Sequence, residues 1–222
     1  MIVGVVTEGK RDFPIFEAVV KRLCPAVEDV KRIHPPSDEL SASVGGDIEG
    51  TGWTGVRHWC QRYGPRLTRF MQDYGEPFDL LVIQIDASIA HNPEVNLERP
   101  CPPACDTTDA LRDLVIQWVG GQLPHNVIVA VPSKTTDAWV CAAFVREDDL
   151  LECDPEPLER LVSVSGFGFQ LKRTSDGRIK KPAARQYDAH LAPQVAARFD
   201  QVRDICGEAE RFALAVEAQC IE

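Results

Sequence analysis

The chain has 222 residues, 44% of them hydrophobic, which suffices for one sizeable core without disulfide staples. Its net charge of −10 excludes a generally basic coat for nucleic acid and leaves room only for a local basic patch. No apolar run approaches membrane-spanning length, and the start carries neither a basic leader nor a cleavage pattern, so the expectation is a soluble cytoplasmic protein without membrane contact.

Residues 2–6 form a short Val/Ile-rich run that predicts a strand covered on both faces, as in a parallel sheet. Glu8 follows at its carboxyl end, Gly9 permits a turn, and Asp12 opens a helical pattern through Phe13, Phe16, Val19, Val20 and Leu23. The crevice beyond the carboxyl ends of the strands is where open α/β sheets bind ligands, so acids there are placed for chemistry. A second strand is expected over 27–33, ended by His34-Pro35-Pro36.

Residues 35–55 read as a polar, Gly-rich loop. Its Gly50-Thr51-Gly52-Trp53-Thr54-Gly55 matches G-x-G-x-x-G, but no strand directly precedes it, so the dinucleotide fingerprint lacks its context. The spacing then predicts a helix over 56–74, broken near Gly64-Pro65, with Val56, Trp59, Tyr63, Leu67, Phe70 and Met71 inward. Arg57, Arg62, Arg66 and Arg69 lie on its other face, as a solvated surface or a polyanion contact.

The strongest strand signal is 79–85, and it also ends on an acid, Asp86. If that strand neighbours the first, Glu8 and Asp86 converge, and clustered carboxylates need a proton or a cation between them; hard oxygen ligands suit Mg²⁺ or Mn²⁺. Residues 87–106 are expected to be a long loop over the site or a partner surface, followed by a helix from Thr107 or Thr108 to Val119. A fourth strand over 126–131 stops at Pro132, and a helix over 133–144 carries Asp137 and Trp139 near the same edge.

The eight cysteines are expected to be reduced, mostly core residues. Cys101 and Cys105 are spaced like half a zinc site with His91 the nearby candidate to join them, but no second Cys/His pair with ligand spacing follows, so plain loop cysteines are the favoured reading. An acidic stretch over 147–160 (Glu147, Asp148, Asp149, Glu152, Asp154, Glu156, Glu159) reads as a surface connection. From Leu171 to Arg185, six cations (Lys172, Arg173, Arg178, Lys180, Lys181 and Arg185) face one acid, Asp176, a local charge of +5. Such a segment can follow a phosphate backbone, or can be a solvated hairpin: Phe167 and Phe169 alternate before it and Ser175-Asp176-Gly177 suits a tight turn. An amphipathic helical pattern over 191–216 closes the chain.

Glu8-Gly9-x-x-Asp12 at a first strand end, Asp86 at a later one and the βαβαβαβ layout resemble the TOPRIM domain of topoisomerases, primases and overcoming-lysogenization-defect (OLD) type nucleases. Pro132…Asp137-Ala138-Trp139 is similar to compact TOPRIM-like proteins of bacterial mobile and defence loci, with an echo at Lys180-Lys181-Pro182…Tyr187. The resemblance covers residues 1–150 as a TOPRIM-like, Rossmann-like α/β domain with a mostly parallel sheet flanked by helices. Residues 151–222 follow as a helical and hairpin extension on the same domain. It implies a Mg²⁺- or Mn²⁺-dependent nuclease or phosphodiester-transfer enzyme acting on DNA or RNA, with Glu8, Asp12, Asp86 and Asp137 as catalytic candidates. A defence or toxin-system effector is the biological setting it suggests. The family's Asp-x-Asp reads Asp86-Ala87-Ser88 here, so Glu8, Asp86 and Ser88 are the metal-ligand candidates and one formal charge is missing. That departure opens the alternative of a catalytically degenerate module that binds a partner protein, a second copy of itself, or nucleic acid.

Overall fold

A computed structural model describes residues 1–36, 51–145, 150–164, 167 and 171–220. The expected loop over 37–50 including Gly50, the acids Glu147, Asp148 and Asp149, and Phe169 lie outside the described residues.

Four strands, β1 (Ile2–Val6), β2 (Asp29–His34), β3 (Leu80–Gln84) and β4 (Val127–Ala130), form an all-parallel sheet in the order β2-β1-β3-β4. β1 and β3 are neighbours, in register from Val3↔Leu80 to Val6↔Ile83. All five residues of β3 are buried, as its apolar run up to Ile83 requires of a strand covered on both faces.

Helices cover both faces, giving a Rossmann-like α/β sandwich. On one side, α1 (Asp12–Leu23) buries Phe13, Ile15, Phe16, Val19 and Val20. They share a core with Val3 and Val5 and with Trp139 of α5 (Asp137–Ala142). On the other side, α2 (Gly52–Tyr63), α3 (Leu67–Asp73) and α4 (Cys105–Val119) pack Val56, Trp59, Leu67, Met71, Leu111 and Val115 against Leu81 and Ile83. A 3₁₀ turn at Gly64–Arg66 separates α2 from α3, where the Gly-Pro pair predicts the break. Because β2 connects back across β1 to β3, the chain leaves β1 toward one face and reaches β3 from the other. The resulting switch point between β1 and β3 is the position at which open α/β sheets form a ligand crevice.

The C-terminal segment makes a two-stranded hairpin, β5 (Lys172–Arg173) with β6 (Ile179–Lys180). Its turn contains Gly177 at φ +86°. Then come the one-turn α6 (Ala184–Gln186), a π turn at Tyr187–Leu191, α7 (Ala192–Ala197), α8 (Phe199–Ile205) and α9 (Gly207–Gln219). Leu191, Val195, Phe199, Phe212 and Val216 are buried in the same core as α1. No helix among the described residues is long and apolar enough to cross a membrane.

Three expectations change. The last four residues of the Gly50–Gly55 motif are the first turn of α2 and not a loop. The helix expected to be capped by Thr107 or Thr108 starts earlier, at Cys105. Cysteines expected to be reduced are paired: Cys24 with Cys220 across 196 residues and Cys101 with Cys153 across 52, at Cα separations of 5.7 and 5.6 Å. Pairs so far apart in the chain leave no spacing signature. Cys101 is thereby withdrawn from the zinc pair considered with Cys105, which stays a free, exposed thiol.

Gly64 fits only without a side chain, since an added Cβ would collide with the backbone of Val119 at the end of α4. Gly64→Ala is expected to lower the unfolding free energy by about 2–3 kcal/mol, because the obstacle is backbone and cannot swing aside. Urea titration of the two proteins checks this.

Candidate functional site

Each acid at the switch point is placed by a strand end. Two residues beyond β1, Glu8 accepts the backbone N–H of Asp86 at 2.6 Å through Oε1, which joins the ends of β1 and β3 directly. Its own N–H donates to Gln84 Oε1 at 3.1 Å. Gln84, the last residue of β3 and fully buried, turns its amide the other way and donates from Nε2 to Asp86 Oδ1 at 2.9 Å. A buried glutamine in an otherwise apolar strand is the sequence signal that marks it as more than packing.

Asp86 Oδ1 also accepts both the N–H and the hydroxyl of Thr136, each at 3.0 Å. Thr136 thereby ties β4's exit to β3's. Asp12 is brought in by the turn after Glu8: its N–H bonds Gly9 O at 3.2 Å, and an added Cβ on Gly9 would stand 3.0 Å from Asp12 Oδ2. Glycine at that position leaves the carboxylate its room.

Asp137, 5% exposed, opens α5 beside this group. Its Oδ1 accepts the Tyr187 hydroxyl at 2.5 Å and its Oδ2 meets the Lys181 ammonium at 2.7 Å. Arg11 anchors the incoming segment by donating from Nε to Pro182 O at 2.7 Å. Lys181 and Tyr187 therefore reach the cluster from beyond residue 171. Lys181, considered from the sequence with the other hairpin cations, points into the acids.

The electrostatics follow from crowding acids away from water. Burial pushes the Glu8 carboxyl up from 4.5 to about 8, opposed by the Asp86 N–H and reinforced by Asp12. Burial and then Asp137 push Asp12 up from 3.8 to about 6. Asp86 is raised well above the ordinary range by burial, Asp12 and Glu8. Burial works against the Lys181 charge, but Asp137, Asp86 and Asp12 outweigh it and hold its pKa above 10.5.

The structure thus brings Glu8, Asp12, Asp86, Asp137 and Lys181 together. Ser88 lies in the 3₁₀ turn Ala87–His91; its N–H bonds Lys134 O at 2.8 Å, and among the described residues its hydroxyl makes no hydrogen bond to the acids. The other hairpin cations stay outside: Arg173 is bidentate to Glu159 at 2.8 and 2.7 Å, and Arg178 pairs with Asp176 at 3.7 Å. On the far helical face, Arg57 stacks on Trp53 and pairs with Glu94, while Arg69 pairs with Asp73.

Among the described residues, no group of three or more His, Cys, Asp or Glu side chains stands in metal-holding geometry as it is. The donors nevertheless suit a hard cation: Glu8, Asp12 and Asp86 supply carboxylate oxygens whose pKa values are held up by burial and by neighbouring acids, and added positive charge relieves both. Comparisons of the chain with protein-family models, with curated proteins and with solved structures find no match.

The site leaves a signature in stability. Glu8 and Asp12 are raised on folding, so the stability of their protonated forms is fully present below about pH 4 and is lost as pH rises through about 6 and then 8. His34, 1% exposed at the end of β2 with both ring nitrogens unpartnered, is lowered by burial from 6.5 to about 4. Its contribution is complete above 6.5 and is lost as pH falls toward 4, by at most about 1.4 kcal/mol per pH unit. The windows overlap, so thermal melts in EDTA are expected to show stability falling from about pH 4 to 8, less steeply below 6.5 where His34 offsets part of the loss. Glu8→Gln should flatten the fall toward pH 8 and His34→Leu should steepen it below 6.5.

Proposed function

We propose that this chain is a divalent-metal-dependent nuclease or related phosphodiester-transfer enzyme of the TOPRIM type, acting on DNA or RNA. The observation that carries the proposal is the convergence of Glu8, Asp12 and Asp86 at the β1/β3 switch point with a lysine ammonium among them. Carboxylates at such a crevice are costly to the fold and have no packing role that explains them.

Glu8, Asp12 and Asp86 are the residues to hold Mg²⁺ or Mn²⁺. Once bound, the cation would neutralise phosphate charge and make the attacking water more acidic. The remaining work belongs to the protein. Thr136 and Gln84 fix the Asp86 carboxylate by three hydrogen bonds, so it need not reorganise during reaction. Glu8, titrating near neutrality in the absence of a cation, is suited to take or give a proton at the attacking or leaving oxygen. Lys181 has a donor to spare beside Asp137 and can meet a non-bridging phosphate oxygen. Tyr187 holds Asp137, and Asp137 in turn steers Lys181.

One feature favours the degenerate binding module as a second reading. Ser88 stands where the resemblance has a second carboxylate, and Asp137 is already neutralised by Lys181. The readings separate in a cleavage assay on single- and double-stranded DNA and RNA with Mg²⁺ or Mn²⁺. The nuclease requires cation-dependent cleavage that falls at least about 10²-fold in Glu8→Ala and Asp86→Ala and about 10²-fold in Lys181→Met. Intact wild-type protein that cleaves none of these substrates selects the module.

A further inference from the structure

Beside the turn that presents Glu8 and Asp12 lies a cavity of about 180 Å³ whose wall carries three cations from distant parts of the chain: Lys10, Arg32 and Arg185. Arg32 comes from β2 and lays its guanidinium over the Phe13 ring, 4.5 Å from the centroid, which fixes its plane. Its Nε is buried without a hydrogen-bond acceptor, and among the described residues Arg32 makes no ion pair. A buried N–H without an acceptor on a half-buried guanidinium is costly, and an incoming anion that accepts from it would remove that cost. Two acids share the wall: Glu17 is engaged by Lys21 at 2.7 Å, while Asp188 is exposed at the rim.

Arg185 also lines a second cavity of about 280 Å³ with Lys172, Lys180 and Lys181. Lys181 in turn has its ammonium on Asp137 in the acid cluster. Arg185 thus belongs to both cavities, and Lys181 links the larger one to the acids. On the other side the link is shorter, because Lys10 is two residues from both Glu8 and Asp12, at most about 7 Å of chain. A phosphate in the smaller cavity would lie within a nucleotide or two of a linkage held over the acids.

We propose that the Lys10–Arg32–Arg185 cavity receives the terminal phosphate of a nucleic-acid strand, so that the site measures its cut from a phosphorylated end. This rests on the nuclease reading for the identity of the strand. Its chemistry does not: a phosphomonoester carries more charge than a backbone diester and offers a planar guanidinium two oxygens for bidentate contact. Backbone phosphates next to that end would follow Arg185, Lys180 and Lys172 and contribute affinity without reading sequence.

The test measures binding in EDTA, where no cleavage occurs, at one fixed salt concentration. Short single strands with an internal fluorophore carry a 5′-phosphate, a 3′-phosphate or hydroxyls at both ends. One phosphorylated strand is expected to bind about ten-fold tighter than the hydroxyl strand. Arg32→Gln and Arg185→Gln should each abolish that preference, and Arg173→Gln, whose arginine is occupied by Glu159, should keep it. Arg185 is exposed, so its variant decides the matter even if Arg32→Gln unfolds. Equal binding of all three strands, binding of none, or a preference that survives Arg185→Gln overturns the pocket. Equal binding with cation-dependent cleavage intact removes the pocket and leaves the nuclease. An end preference without cleavage does the reverse.

Discussion

Like charges forced together where two parallel strands end are the constraint on which the rest of this molecule depends. Glu8, Asp12 and Asp86 would separate if they were free to do so, since burial raises all three, Asp12 further raises Glu8 and Asp86, and Glu8 further raises Asp86. They are held by groups that do not yield easily: the Asp86 N–H on Glu8, the Gln84 amide between them, and both donors of Thr136 on Asp86. Four of these bonds join the ends of different strands, so the acids cannot part without breaking the carboxyl edge of the sheet. The fold stores a demand for positive charge there, and Lys181 meets part of it.

That demand explains why the C-terminal segment is bound up with the sheet. Lys181 and Tyr187 reach Asp137 from the hairpin and the π turn, while Arg11 holds Pro182 from the other side. Helices α7 to α9 then bury Val195, Phe199, Phe212 and Val216 in the core that α1 and Trp139 share. The edge-to-face contact of Phe16 with Phe212 and the tilted one with Trp139 fix α1 against both, which in turn fixes the turn carrying Asp12. Packing in this layer and charge in the crevice therefore depend on each other.

Much of this was legible in the sequence where one physical rule governs one short stretch. Apolar runs of strand length ending in an acid marked β1 and β3 to within a residue, because a strand buried on both faces leaves no alternative composition. Gly64-Pro65 marked the break between α2 and α3. Legibility failed where the cause is long-range. Cys24 and Cys220 meet only because α9 returns beside the end of α1, which no spacing encodes. The basic run over 171–185 read as one patch, yet its members part in three dimensions: Arg173 and Arg178 turn to local acids, Lys181 enters the cluster, and Lys172, Lys180 and Arg185 line a cavity. Arg32 gave no signal at all, since a single arginine in a strand ordinarily means an exposed edge.

The central claim is that the carboxylates at the β1/β3 switch point form one cation site. Anomalous diffraction from crystals of the protein grown with Mn²⁺ tests it most directly. The account predicts a peak in contact with oxygens of both Glu8 and Asp86, at roughly 2.0–2.6 Å. It is contradicted by Mn²⁺ bound only elsewhere on the protein, or by no ion there while Lys181 keeps its place among the acids.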